Sequence, residues 1–172
     1  MIRVETDASE DWNARDDWAK RADAAVRAAV EASAHASLID CGITVEVSVK
    51  LSSDAEVAAL NDAYRGKQKP TNVLSFPMLD AALLRAVGGA DGGEALLGDV
   101  ILAHGVCERE AEEREVAIED HAAHLIVHGT LHLLGYDHET GDADAEAMEE
   151  TERRALSAIG LADPYEVTEV QS

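Results

Sequence analysis

Four histidines stand close together around the segment HGTLHLLGYDH, which covers residues 128–138. They are His124, His128, His132 and His138, and most of their neighbours are apolar. A buried polar group without a partner is costly, so imidazoles on an otherwise apolar helix need hydrogen-bond or metal partners. One metal ion can satisfy several imidazoles at once. The spacing therefore indicates a metal site.

Helix geometry limits which of these histidines can share an ion. His124 and His132 would lie about 12 Å apart along a helix axis, whereas metal–imidazole bonds are about 2.1 Å long. Histidines four positions apart can bind one ion, and both 124/128 and 128/132 meet that condition. The third ligand favours His128 and His132, because a helix ending at Gly135 can turn His138 back toward them. Three nitrogens with an open fourth position are typical of catalytic zinc, so we expect one Zn²⁺ per chain.

Other interpretations of these residues stay open. The histidines could be a chance cluster on a solvated helix end, or the ligands of a purely structural metal. His124 suits the core or a place supporting the ligands, and Asp137 is either a turn residue or a carboxylate that orients an imidazole. His104 and Cys107 have the spacing of a thiol–imidazole pair, but nothing else indicates nucleophilic catalysis. Gly129 stands where HExxH has its glutamate, so the general base is unknown.

A second candidate group is the basic run in YRGKQKP, residues 64–70. Arg65, Lys67 and Lys69 lie within five positions without an acidic neighbour. The net charge of −21 argues against diffuse attraction to nucleic acid, because an anionic surface repels phosphate. Any phosphate site must therefore be local, and this run is the candidate. A solvated loop is the alternative interpretation.

Periodicity predicts the elements that would position these groups. Alternation of apolar and polar residues from 43 to 51 predicts a half-buried strand. Three further strands are expected at residues 1–6, in NVLSF before Pro77, and in GDVILA. Helical patterns are expected over residues 18–30, 53–64 with Ser53 and Glu56 as a capping box, 106–115, 121–134 and about 143–159. GGADGG, residues 88–93, is expected to be a flexible loop.

Bulk properties predict one globular domain over residues 1–172. The chain is 47% hydrophobic, and charges interrupt every apolar stretch well short of the ~20 residues that span a membrane. Its start, MIRVETDASE, has neither a basic nor an apolar leader region, so we expect no export. Two isolated cysteines suit a reducing cytoplasm.

Three sequence blocks resemble the YbeY endoribonucleases, bacterial zinc-dependent factors of ribosomal RNA maturation. HGTLHLLGYDH is similar to the family pattern HGxLHLxGYDH at every fixed position, and YRGKQKPTNVLSFP and LLGDVILA look like two further blocks. The resemblance runs from about residue 43 to 160. It implies an α+β fold with a mixed four-stranded sheet, about five helices and a zincin-like metal-binding helix spanning, with its turn, residues 117–138. Gln68 stands where many relatives have aspartate.

The resemblance also implies roles for the residues above. His128, His132 and His138 would bind zinc, and Arg65 would act in the catalytic cleft on a phosphate attacked by zinc-bound water. Lys67 and Lys69 would guide the RNA backbone. The expected function is single-strand endoribonuclease activity in ribosomal RNA processing, with ribosomal particles and a ribosome-associated protein as partners. A metal-stabilised ribosome-assembly factor and a metal hydrolase for another substrate are the alternatives.

Overall fold

The computed structural model describes residues 1–12, 17–66, 70–89, 91–137 and 141–163. Four strands are present in these ranges: β1 (Ile2–Ala8), β2 (Gly42–Ser52), β3 (Val73–Pro77) and β4 (Asp91–Ala103). The α-helices are α1 (Trp18–Ala32), α2 (Asp54–Arg65), α3 (Ala81–Gly88), α4 (His104–Arg114), α5 (Ile118–Leu133) and α6 (Asp142–Ala158). A short 3₁₀ helix covers Ala36–Ile39.

The four strands form one mixed sheet in the order β1-β2-β4-β3. β1 pairs parallel to β2, β2 pairs parallel to β4, and β3 runs antiparallel to β4 at one edge. The predicted mixed four-stranded sheet and the α+β class are confirmed. The described ranges contain six α-helices, where about five were expected.

Alternation along the strands places the core on both faces of the sheet. Alternate residues of β2 from Val45 to Leu51 are fully buried against the main core, as their period of two predicts. In β4, Val100 and Leu102 belong to that core, whereas Ile101 belongs to a smaller cluster on the opposite face. The site helices therefore pack on one face, and α2 covers part of the other.

Helix α5, which carries the predicted metal ligands, lies against the sheet and three other helices. It packs on β3 and β4, while α1, α4 and α6 pack beside it. The predicted buried helix is confirmed, since ten of its residues are buried. Ser53 caps α2 as expected, because its Oγ accepts from the backbone N–H of Glu56 at 3.2 Å. No helix among the described residues is long and apolar enough to cross a membrane.

The expectation of a flexible loop over residues 88–93 is wrong for most of that segment. α3 ends at Gly88, and β4 already begins at Asp91, which pairs with Gly42 of β2. Gly92 and Gly93 have φ values of 85° and 100° within the strand. Glycine adopts positive φ values readily, so these two residues allow β4 to begin with an irregular backbone. α3 was not predicted. Its start is fixed by Asp80, whose side chain accepts from the N–H of Leu83 at 2.8 Å.

Candidate metal centre

Two of the predicted ligands face each other on α5. His128 and His132 are four residues apart, and their Nε2 atoms lie 3.1 Å from each other. Both side chains are partly exposed to solvent. Two metal–nitrogen bonds of about 2.1 Å easily span this separation. The pair is thus arranged as two ligands of one cation would be.

The other ring nitrogen of each histidine has an acceptor. His128 Nδ1 is in direct contact with Oε1 of Glu152, and His132 Nδ1 lies 2.9 Å from the carbonyl oxygen of Tyr136. A carbonyl oxygen and an ionised carboxylate only accept, so both Nδ1 atoms must donate. In the neutral rings, the two Nε2 lone pairs then point at each other. A shared cation is the natural partner for such a pair, so these residues fit a metal.

Glu152 is the residue that sequence reasoning missed. It lies on α6, its side chain is fully buried, and its second carboxylate oxygen is 3.9 Å from His124 Nε2. Burial opposes its ionisation, but the contacts with His124 and His128 outweigh burial and hold the pKa of Glu152 well below its usual range. A signal was present, since Glu152 falls four positions after the buried Met148 and four before the buried Leu156. It therefore lies on the apolar face of α6, where an isolated carboxylate is unusual.

The structure describes only some of the other site residues that were predicted from the sequence. His138, Lys67 and Lys69 lie outside the described residues, and within the described ranges no group of three or more metal-binding side chains is found. Arg65 is the last residue of α2, and its side chain also lies outside the described part. Asp137 follows Tyr136 in the turn after α5.

A glycine lets α5 approach the sheet closely beside His128. A Cβ on Gly129 would lie 2.7 Å from Cγ1 of Val100 and 3.0 Å from Oγ of Ser75. The Ser75 hydroxyl instead donates to the Gly129 carbonyl at 3.1 Å. Gly129 therefore allows the short distance between α5 and the β3–β4 pair.

A partly buried polar cluster ties the start of α5 to the start of β3. Glu110 of α4 lies 2.8 Å from His121 Nε2 and accepts from Asn72 Nδ2 at 3.1 Å. Burial lowers the pKa of His121, which Glu110 partly offsets. Asn72 immediately precedes β3, so this cluster links the start of β3 to α5 through α4.

The possible thiol–imidazole pair is not supported. The Cys107 thiol is fully buried and donates to the Asn72 carbonyl at 3.8 Å. Burial raises the pKa of Cys107 to about 12, so the thiol stays protonated and is a poor nucleophile. His104 instead stacks edge-on against Trp12, with ring centroids 5.1 Å apart, and lies 3.7 Å from Glu108.

Comparison with known proteins agrees with the sequence resemblance. The family model described as Endoribonuclease YbeY matches residues 7–160. The chain is 54% identical over 169 residues to Endoribonuclease YbeY of Rhizorhabdus wittichii, covering 98% of this chain and 99% of that protein. It is 51% identical over 165 residues to Endoribonuclease YbeY of Sphingopyxis alaskensis, covering 96% and 98%.

A solved structure shares the fold. The solution structure of TM1509 from Thermotoga maritima superposes with a TM-score of 0.54, covering 92% of this chain and 91% of that one. The two sequences are 24% identical, so this likeness concerns the fold alone.

Proposed function

Because this chain belongs to the endoribonuclease YbeY family, as its sequence predicts, we propose that it is a zinc-dependent endoribonuclease that cleaves single-stranded RNA. The observation that supports this most strongly is that the Nε2 atoms of His128 and His132 lie 3.1 Å apart. The Nδ1 atoms of the same rings each contact an acceptor, the Glu152 carboxylate and the Tyr136 carbonyl oxygen. We further propose ribosomal RNA as the substrate, in processing and maturation of ribosomal particles.

His128, His132 and His138 would hold one zinc ion per chain. When bound, zinc supplies an activated water and polarises a phosphate oxygen. Glu152 and the Tyr136 carbonyl keep the two imidazoles of α5 in the tautomer that offers Nε2. His124 supports the site through Glu152 and does not bind the ion.

The basic run would provide the phosphate contacts. Arg65 would stabilise the charge that develops on the phosphate, because a guanidinium stays ionised and offers two donors to two oxygens. Lys67 and Lys69 would bind the RNA backbone away from the reacting bond. The general base is not assigned. Asp137 remains a candidate for orienting an imidazole.

We propose that these groups act within one domain, residues 1–172, in the cytoplasm. The main core draws on residues from Ile2 of β1 to Leu156 of α6, which supports a single unit. Cys41 and Cys107 are both free thiols, in keeping with a reducing compartment. A ribosome-associated protein is the proposed partner.

The test is cleavage of end-labelled single-stranded RNA by purified protein. We expect cleavage to stop on chelation, to return with zinc and to be absent in His128→Ala. His35→Ala, a histidine outside the metal-site helix, should cleave like the wild type. RNA cleavage that survives verified zinc removal would contradict zinc dependence. A protein that binds zinc and fails to cleave RNA would favour the assembly-factor role or another hydrolytic substrate.

Arg65 has a test of its own. Arg65→Ala should keep its zinc but lower single-turnover cleavage about a hundredfold or more, as loss of a transition-state donor does. Arg65→Lys should restore part of the rate, since lysine keeps the charge without the planar fork. Arg85→Ala, which removes an exposed arginine on α3, is the matched control and should be neutral. A rate for Arg65→Ala within threefold of wild type would remove the catalytic role.

A further inference from the structure

Tyr136, in the turn after α5, makes two hydrogen bonds that connect distant parts of the fold. Its backbone carbonyl oxygen lies 2.9 Å from Nδ1 of His132, one of the proposed metal ligands. Its phenolic oxygen accepts from the backbone N–H of Ala34 at 3.0 Å. Ala34 is the second residue after the end of α1 and precedes Tyr136 by 102 positions. One residue therefore contacts both α5 and the C-terminal end of α1.

Hydrogen bonds within the turn fix its backbone only as far as the amide of Tyr136. The N–H of Gly135 donates to the His132 carbonyl, and the N–H of Tyr136 donates to the Leu131 carbonyl, each at 3.0 Å. These two bonds, with Gly135 at a φ of 96°, form the Schellman motif that commonly ends a helix. They leave open the rotations that follow the Tyr136 amide. The direction of the Tyr136 carbonyl, on which its contact with His132 depends, therefore needs a further restraint.

The side chain of Tyr136 supplies that restraint at its far end. The ring is half-buried and packs against the main core. On one side it borders a cavity of about 320 Å³ that Ala34 and Leu134 also line, so packing alone does not confine the ring there. Anchoring the phenolic oxygen on Ala34 holds the ring, and with it the backbone of Tyr136, in one orientation.

The Ala34 amide is a firm anchor because its neighbours are themselves hydrogen-bonded. Ser33, the C-cap of α1, donates from its backbone N–H and from its Oγ to the Val30 carbonyl, at 3.1 and 2.7 Å. The same Oγ accepts from the N–H of His35 at 3.0 Å. Helix α1 in turn packs directly against α5. The anchor is therefore held in place relative to the helix that carries His132.

We propose that Tyr136 is a positioning residue for the metal centre: its hydroxyl, held by Ala34, aims its carbonyl oxygen at Nδ1 of His132. This inference rests on the proposed function, through its zinc site, and adds to that site a link with the end of α1. A carbonyl acceptor keeps the proton on Nδ1 and leaves Nε2 of His132 to bind a metal. Because coupling between two sites is reciprocal, zinc binding should also protect the Ala34 amide from hydrogen exchange.

Tyr136→Phe tests the link, because it removes the hydroxyl and keeps the ring. Zinc dissociation constants are measured by competition with a fluorescent chelator, and circular dichroism verifies the fold of each variant. Tyr136→Phe should bind zinc about fivefold more weakly, which corresponds to ~1 kcal/mol, the usual net contribution of one hydrogen bond. Tyr64→Phe, which removes the hydroxyl of a tyrosine that is 70% exposed on α2, is the matched control and should bind zinc like the wild type.

A second variant removes the other partner of the same hydrogen bond. Ala34→Pro lacks the backbone N–H, and Ser33 before it has a ψ of 173°, an extended conformation that a following proline accepts. Ala34→Pro should weaken zinc binding as Tyr136→Phe does, and the double variant should bind no more weakly than either single variant. Additive losses would show that the two residues act independently and would overturn the link.

Hydrogen exchange followed by NMR separates positioning from a general loss of stability. In the zinc-loaded wild type, the Nδ1–H of His132 should exchange slowly with water, and zinc should slow the exchange of the Ala34 amide. In Tyr136→Phe both effects should be lost, whereas the Nδ1–H of His128, held by Glu152, should stay protected. Equal loss of protection at both histidines would overturn the positioning role. So would a zinc dissociation constant within about twofold of wild type, which is less than loss of one hydrogen bond should cause.

The outcomes also distinguish this inference from the proposed function. If the wild-type protein binds zinc but cleaves no RNA, the proposed function fails, and the zinc measurements still decide the role of Tyr136. If RNA is cleaved and Tyr136→Phe binds zinc like the wild type, the link alone is wrong. If the wild-type protein binds no zinc, both proposals fail.

Discussion

Replacing Glu152 with glutamine tests whether the buried carboxylate holds the first metal ligand in place. Glu152→Gln keeps the size of the side chain and leaves an amide oxygen that can still accept from His128 Nδ1. What it removes is the negative charge in a fully buried position, where water does not screen it. The imidazole then becomes a weaker metal ligand, and its neutral tautomer is less firmly held.

The expected magnitude follows from the contacts of Glu152. Loss of a group that orients a metal-binding histidine typically weakens metal affinity 10–100-fold. Because the Glu152 carboxylate is fully buried and contacts both His128 and His124, we expect at least a tenfold rise in the zinc dissociation constant, about 1.4 kcal/mol. Glu152→Ala should in addition destabilise the fold by ~1–3 kcal/mol, because it leaves the His128 Nδ1 donor without its acceptor.

The assay is zinc competition against a fluorescent chelator, with circular dichroism to verify the fold of each variant. Glu150→Gln provides the matched control, since that glutamate lies on the same helix with its side chain 59% exposed. The control should bind zinc like the wild type. A zinc dissociation constant for folded Glu152→Gln within threefold of wild type would refute the positioning role.

Three further outcomes are expected. His132→Ala should lose the zinc and His124→Ala should retain it, and elemental analysis showing the reverse would contradict the ligand assignment. Gly129→Ala should lower the free energy of unfolding by about 1–3 kcal/mol, because its Cβ would meet β4 and β3. A free energy of unfolding, measured with denaturant, that equals the wild-type value would contradict this close approach. In native protein at pH 8, iodoacetamide should label Cys41 and spare Cys107, because the Cys107 pKa of about 12 leaves little thiolate. Mass spectrometry that finds both cysteines labelled would disprove this prediction.

Local patterns carried most of the fold prediction. The strand from Ile43 and the helix from Trp18 were predictable because their periodicities of two and 3.6 report directly which face is buried. The His128–His132 pairing was predictable for the same reason, since helix geometry fixes the separation of residues four apart. Such arguments need only the neighbouring sequence.

Features that depend on packing between distant elements were not predictable in this way. Glu152 meets His128 because α6 packs beside α5, and no local pattern states that geometry. Helix α3 has only eight residues, too few for a persistent period, and its start depends on a side-chain cap from Asp80. The glycines at 92 and 93 suggested a loop because their conformational freedom is visible in the sequence, whereas their pairing with β2 is not.

The contact between α5 and α6 also determines when, during synthesis of the chain, the site can form. His128 precedes Glu152 by 24 positions, and ribosomes add about 5–20 residues per second, so the imidazole exists for about 1–5 s before its carboxylate is synthesised. The supporting contact can form only after α6 has left the ribosomal exit tunnel and packed against α1 and α5. A nascent chain therefore carries an unsupported His128 for at least those seconds, and the proposed metal site gains its carboxylate support only once α6 has packed.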